Sequence, residues 1–178
     1  ATSKSYMWMF RSGEDGTPPI ILYQYAPTRS GNVAKEFLKG FKGYLMVDGY
    51  TGYNKVKDIK RCCCFAHIRR YFFDVIPKGK QRDISHPAVQ GVEYCDKLFA
   101  YERRFKEKGY SYKQLKNGRL KHEKPVIEAF LVWLKQQKPV RGSKFATAVN
   151  YALNRQDLMM TYLEDGRCSF SNNLSENA

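Results

Sequence analysis

The amino-acid sequence predicts an α/β domain that is followed by a long all-helical insertion. Over the first 80 residues, apolar runs of strand length alternate with amphipathic helical segments, whereas residues 81–165 show only helical periodicity. Alternating strands and helices are typical of a sheet with helices packed on its faces. The composition, with 43% hydrophobic and 15% aromatic residues, is that of a folded chain.

The first strand pair is predicted near the start of the chain. Residues 6–10 are aromatic and apolar on both faces, which predicts a strand covered from both sides. Residues 20–23 resume as a second strand after turn-rich sequence, so the pair is typical of a β-hairpin with a long loop. Ser30 has the side chain of a helix N-cap, and Gly40 suits the end of the short helix that begins there.

A further strand leads into a possible catalytic acid. The apolar run at residues 44–47 continues directly into Asp48 and Gly49, as a buried strand does when it places a carboxylate at its carboxyl end. After a short helical stretch, residues 61–65 predict another strand and residues 66–75 predict a helix.

Helix-start signals mark the all-helical insertion. Pro87 suits a first helical turn, Pro125 begins a second helix, and Ser143 has N-cap chemistry for a third. The apolar spacing at residues 158–162 predicts a fourth helix, which Gly166 ends.

The stretch at residues 110–124 is polar and rich in lysine, which predicts a mobile connector between two helices. We therefore divide the chain into three parts. Residues 1–80 are predicted as the first part of the α/β core, residues 81–165 as the helical insertion, and residues 166–178 as the start of a final core helix.

The balance of charge indicates an anionic partner. The chain has 31 Lys and Arg residues against 17 Asp and Glu residues, a net charge of +14. Nucleic acid is the commonest partner of so basic a protein, and a basic housekeeping domain is the alternative. The longest apolar run is too short to cross a bilayer and the first residues lack a signal-peptide core, so we expect no membrane partner. The adjacent cysteines at positions 62–64 argue against a disulfide framework and favour the cytoplasm.

Two acidic residues are candidates for metal-dependent chemistry. Carboxylates at the ends of buried strands bind hard divalent cations, and Asp48 is predicted at such an end. The alternative is that Asp48 and Gly49 are only a strand-ending turn. Glu176 would lie in the first turn of a helix capped by residues 171–173, where an acidic residue is also ordinary because it complements the helix dipole.

Cys64 and His67 form a Cys-x-x-His pattern at a predicted strand-to-helix junction. The pattern could be half of a zinc site, but the sequence offers no second half. A Cys/His nucleophile pair is disfavoured because nothing near it marks an oxyanion site. The favoured interpretation is that Cys64 and His67 fix the strand end, while Arg69 and Arg70 contact phosphate.

Together these segments resemble the transposases of insertion-sequence family 66. The resemblance runs through nearly the whole chain in the right order. It rests on YMWMFRSGEDG at 6–16, PTRSG at 27–31, FKGYLMVDGYTGY at 41–53, CFAHIRR at 64–70, AVNYALN at 148–154 and NNLSENA at 172–178.

The resemblance implies a ribonuclease-H-like mixed sheet with a helical insertion before the last acid. It also implies an Asp-Asp-Glu (DDE) triad that binds two Mg²⁺ or Mn²⁺ ions, in which Asp48 matches the second acid and Glu176 the third. The first acid and the opening strand that carries it are expected upstream of residue 1. Cys64 and His67 match a signature found beside the second acid in such enzymes.

The function implied by the resemblance is DNA cleavage and strand transfer in the transposition of a bacterial insertion sequence. The implied partners are transposon-end and target DNA, and a homo-oligomer is possible. A truncated, inactive remnant that binds DNA or a full-length transposase is the alternative for the chain as it stands. A ribonuclease or a Holliday-junction resolvase is disfavoured, because those smaller enzymes do not need a long helical insertion.

Overall fold

The structure, a computed structural model, describes residues 4–14 and 16–173. Within these residues the chain forms four β-strands and six α-helices. The strands are β1 (Tyr6–Arg11), β2 (Ile21–Ala26), β3 (Gly43–Val47) and β4 (Ile59–Cys63). The helices are α1 (Gly31–Phe37), α2 (Phe65–Phe73), α3 (Pro87–Glu107), α4 (Tyr112–Gly118), α5 (Lys124–Gln136) and α6 (Lys144–Leu153).

β1 and β2 form the predicted hairpin, but only one of its faces is covered. The two strands pair antiparallel along their whole length. Trp8 and Ala26 are buried in a small core with Ala34 of α1, whereas the Met7 side chain is 63% exposed. The prediction of a strand covered from both sides at residues 6–10 is therefore wrong, because the hairpin packs against α1 through one face.

Helix α1 begins where the sequence predicts. The Ser30 hydroxyl accepts a hydrogen bond from the amide of Asn32 at 3.3 Å. Gly31 lies against Gly52 of a 3-10 turn (Thr51–Lys55), and a Cβ atom on Gly31 would be 2.3 Å from the Gly52 carbonyl oxygen. The missing side chain therefore lets α1 approach the turn that follows Asp48.

β3 and β4 are parallel, and their carboxyl ends meet at one edge. Val47, the last residue of β3, pairs with Cys63, the last residue of β4. Only Val47 of β3 is buried, so the strand is less covered than its apolar sequence predicts. Within the described residues the two strand pairs are separate two-stranded sheets. The fold there is thus mixed α/β with small sheets and several helices.

The main hydrophobic core joins the strands to the helical insertion. Phe65 and Phe72 of α2 are fully buried, and Leu98 of α3, Phe130 of α5 and Val149 of α6 lie in the same cluster. Helix α2 packs on both α3 and α6. One core therefore holds α6 against the part of the chain that carries β4.

The stretch at residues 110–124 is not the polar connector that its composition predicts. It forms α4, with a capping box between Ser111 and Gln114, and then a π-helical turn (Arg119–Glu123). Arg119 and Glu123 are buried, and the Arg119 guanidinium binds both carboxylate oxygens of Glu102, at 2.6 and 3.0 Å. The prediction was wrong because these two buried, charged side chains have partners: Arg119 binds Glu102, and Glu123 accepts a hydrogen bond from Tyr162.

Residues 158–162 form two 3-10 turns (Gln156–Leu158 and Thr161–Glu164) where the sequence predicts a helix. Met159 and Tyr162 are both buried. Met159 directly follows the first turn and Tyr162 lies in the second, so both turns face the main core.

Candidate functional site

A cleft of about 590 Å³ opens at the carboxyl edge of the β3–β4 pair. Its walls come from the turn after β3, from α2 and from the end of α6. The charged lining residues are Arg29, Asp48, Arg70, Asp74 and Arg155, and His67, Tyr50, Tyr71 and Tyr151 supply rings.

Asp48 follows β3 directly, as predicted, and faces this cleft. Its Oδ1 accepts a hydrogen bond from the Tyr50 amide at 2.9 Å, and its Oδ2 lies 3.8 Å from Nη2 of Arg29. The side chain remains 33% exposed. One carboxylate oxygen thus holds the turn, and the other faces an arginine at more than hydrogen-bond distance.

Cys64 lies at the N-cap position of α2 and is buried. Its Sγ accepts a hydrogen bond from the amide of Asn172 at 3.1 Å. His67, one turn further along α2, lines the cleft. In the part of the chain that the structure describes, no group of three or more His, Cys, Asp or Glu side chains could hold a metal ion. All five cysteines lie in that part, are buried and form no disulfide bond.

Arg69 and Arg70 have different surroundings. The Arg69 guanidinium binds the Asp96 carboxylate through two hydrogen bonds, of 2.5 and 3.3 Å, and lies over the Phe73 ring. Arg70 is exposed and lines both the Asp48 cleft and a second cleft of about 460 Å³. Arg70 is therefore better placed than Arg69 to contact a phosphate beside Asp48.

Glu176, the second predicted acid, lies outside the described residues. Phe170 and Asn172, described residues that precede it in the chain, bind the β4–α2 junction. The Phe65 amide donates to the Phe170 carbonyl oxygen at 3.4 Å, and the two rings stack with centroids 4.8 Å apart.

Sequence reasoning missed several cleft residues, among them Arg29, Tyr50, Tyr151 and Arg155. Arg29 belongs to the PTRSG segment that carries the family resemblance, so a signal for it existed. Tyr151 belongs to the AVNYALN segment that carries the same resemblance, so a signal for it existed too. Arg155 had none, because it lies outside these segments and more than 100 residues from Gly49 in the chain.

The fold and the cleft together define a basic α/β domain in which arginines surround a strand-end carboxylate, an arrangement that suits a phosphate group. The chain belongs to the family described as Transposase IS66 family, whose model matches residues 1–178. None of the described helices is both long and apolar enough to span a membrane.

Curated relatives come from Sinorhizobium fredii. The chain is 29% identical to Uncharacterized protein y4qI, over 99% of this chain and 35% of that protein. It is also 29% identical to Uncharacterized protein y4hP, over 90% of this chain and 32% of that protein. The chain therefore spans about a third of the length of these relatives. No solved structure matches it significantly.

Proposed function

We propose that this chain is part of the catalytic domain of a DDE-type transposase, and that the reaction is metal-dependent DNA cleavage and strand transfer. In this proposal Asp48 is the second acid of the triad and Glu176 is the third. Because the chain spans about a third of its curated relatives, the activity belongs to the whole protein that contains this domain.

The observation that carries the proposal is the position of Asn172, which precedes Glu176 by four residues and binds the strand edge next to Asp48. β3 and β4 end side by side, where Val47 pairs with Cys63 at the usual strand spacing of about 5 Å. Asp48 and Cys64, the next residues, therefore leave the sheet at the same edge. Cys64 Sγ binds the Asn172 amide, and Glu176 follows Asn172 by four residues, which span at most about 14 Å. The anchoring of Asn172 therefore supports a site shared by the two acids.

The residues that would hold metal in this proposal are Asp48 and Glu176. Mg²⁺ and Mn²⁺ prefer carboxylate and water oxygens, and Asp48 presents one carboxylate oxygen to a cleft with room for an ion. The described residues supply too few acids for two ions by themselves, so the proposal also requires the acid expected upstream. When bound, two such ions activate the attacking hydroxyl or water and stabilise the leaving oxygen.

Two arginines of the cleft would bind the DNA backbone. Arg29 and Arg70 line the same cleft as Asp48, and a guanidinium group can bind two phosphate oxygens at once. Arg155 lines the cleft too, but its Nη1 and Nη2 atoms already donate to backbone carbonyl oxygens. Arg69 would contribute less, because Asp96 already neutralises it. Contacts of this kind carry no sequence information, and they make DNA affinity fall as salt concentration rises.

We further propose that the two strand pairs belong to one ribonuclease-H-like sheet. An antiparallel hairpin followed by a parallel pair, with helices α1 and α2 after β2 and β4, supports this arrangement. In such a sheet a further strand would lie between the hairpin and β3.

The test of the catalytic proposal is Asp48→Asn in a full-length transposase that contains this domain. Asparagine keeps the size of the side chain and an oxygen for the Tyr50 amide but removes the charge that a cation needs. We expect the rate of strand transfer with Mg²⁺ or Mn²⁺ to fall more than about a hundredfold. Loss of a residue that only supports a metal ligand already lowers metal affinity or activity about 10–100-fold, and Asp48 is proposed as a ligand itself. DNA affinity should change little.

The matched control is Asp74→Asn, which removes an acid from the same cleft but from the end of α2. This variant should keep strand transfer near the wild-type rate. Full activity of Asp48→Asn would refute the catalytic role of Asp48. Absence of activity in the wild-type protein with either metal would favour the inactive remnant.

A further inference from the structure

The turn that carries Asp48 is held by the distant end of the helical insertion. The Tyr151 hydroxyl donates a hydrogen bond to the carbonyl oxygen of Asp48 at 2.6 Å. Arg155 Nη2 donates to the carbonyl oxygen of the next residue, Gly49, at 2.8 Å. Two side chains from one end of α6 therefore hold two consecutive carbonyl groups, 103 and 106 residues away in the chain.

Tyr151 and Arg155 are themselves fixed in place. The Tyr151 ring stacks on Tyr71 of α2 with centroids 3.9 Å apart, and the Arg155 guanidinium carbon lies 3.5 Å from the Tyr151 ring centroid. Arg155 Nη1 also donates to the Tyr151 carbonyl oxygen at 2.8 Å. Burial raises the pKa of Tyr151 to about 12, so its hydroxyl stays protonated as a donor at neutral pH.

The turn needs such support because Gly49 is its flexible point. Gly49 has a φ of +96°, a conformation that glycine adopts freely and leaves as freely. Within the turn, the Tyr50 amide donates a hydrogen bond to Oδ1 of the Asp48 carboxylate at 2.9 Å. If the peptide groups on either side of Gly49 rotated, the Tyr50 amide would no longer donate to Oδ1. The Asp48 carboxylate would then no longer be held facing the cleft.

We propose that Tyr151 and Arg155 are positioning residues, which fix the Asp48–Gly49 turn so that the Asp48 carboxylate faces the cleft. The consequence for catalysis rests on the proposed function, whereas the holding of the turn does not. In this proposal the helical insertion contributes to the active site by placing Tyr151 and Arg155, at and just after the end of α6, against the turn.

The first experiment measures the turn itself. In Tyr151→Phe, amide hydrogen exchange at Tyr50, followed by NMR, should become about fivefold faster, since one hydrogen bond that holds the turn is lost. Arg155→Met should give a similar increase, and Arg155→Lys should restore part of the protection because it keeps a donor. Tyr162→Phe is the matched control: it removes a buried tyrosine hydrogen bond of the same 2.6 Å length, to Glu123, and neither Tyr162 nor Glu123 lines the cleft. It should leave exchange at Tyr50 unchanged.

The second experiment measures strand transfer by the same variants in a full-length transposase. Tyr151→Phe should lower kcat about fivefold or more and leave KM for DNA unchanged, because the hydroxyl contacts the turn. A raised KM with unchanged kcat would overturn the positioning role in favour of a DNA contact. Unchanged exchange at Tyr50 in both Tyr151→Phe and Arg155→Met would also overturn it. If Asp48→Asn keeps full activity, the proposed function fails, and the exchange measurement alone decides whether these residues hold the turn.

Discussion

The buried acid Glu123 predicts a specific dependence of stability on pH. Glu123 is fully buried, and the Tyr162 hydroxyl donates to its Oε2 at 2.6 Å. Burial and the nearby carboxylate of Glu102 raise the pKa of Glu123 from 4.5 to about 8. In the folded protein Glu123 is therefore mainly uncharged at pH 7.

The direction of the pH effect follows from the two pKa values of Glu123. Between about pH 4.5 and 8 the folded state keeps the proton, whereas the unfolded chain releases it. The contribution of Glu123 to the free energy of unfolding is thus fully present below pH 4.5 and is lost as pH rises through 8. Each rise of one pH unit within this window lowers the free energy of unfolding by about 1.4 kcal/mol. The stability lost between pH 5 and pH 8 is therefore up to roughly 4 kcal/mol.

The perturbation is Glu123→Gln, and the assay is urea unfolding at pH 5, 6, 7 and 8. Glutamine keeps an acceptor for the Tyr162 hydroxyl but cannot ionise. We expect stability close to wild type at pH 5 and an advantage for the variant of up to roughly 4 kcal/mol at pH 8.

The control is Glu164→Gln, which removes an exposed acid that is paired with Lys60. The hydrogen bond from Lys60 lowers the pKa of Glu164, so its titration lies below pH 5 and should add no slope. A difference between wild type and Glu123→Gln that stays constant from pH 5 to pH 8 would refute the reasoning, because Glu123 would then titrate alike in both states.

Three further predictions concern the cleft and the cysteines. Gly49→Ala should lower the free energy of unfolding, measured by a thermal melt, by about 1–3 kcal/mol. The new Cβ atom would lie 2.1 Å from Arg155 Nη2, and residue 49 has a φ of +96°. An unchanged melting temperature would contradict this prediction. In DNA-binding titrations, Arg70→Ala should reduce the slope of log affinity against log salt concentration by about 1. Arg69→Ala should reduce this slope by less, because Asp96 already pairs with Arg69. Equal slopes for the two variants would contradict this prediction. The five buried thiols should react with a thiol reagent far more slowly in the folded protein than in urea, and rapid labelling of native protein would count against the burial.

Features that depend on neighbouring residues could be predicted from the sequence. The hairpin, the caps at Ser30 and Ser143, and the helix start at Pro87 all follow from side chains within a few positions. Asp48 after an apolar strand is a feature of the same kind, because a strand end and a turn are both local patterns.

Features that depend on distant partners could not be predicted. A run of lysines and other polar residues at 110–124 looks like a connector unless the partners of Arg119 and Glu123 are known. Residues 6–10 look like a strand covered on both faces because their composition does not say which neighbours pack on them. Both errors come from judging burial by composition alone.

The sequence by itself determined the family of this protein, its charge and the strand-end position of Asp48, since each of these is written in local motifs and composition. Only the tertiary structure decided what surrounds Asp48. Tyr151 and Arg155 reach its turn because α6 packs on α2 in one hydrophobic core, and such packing joins residues that no local pattern connects.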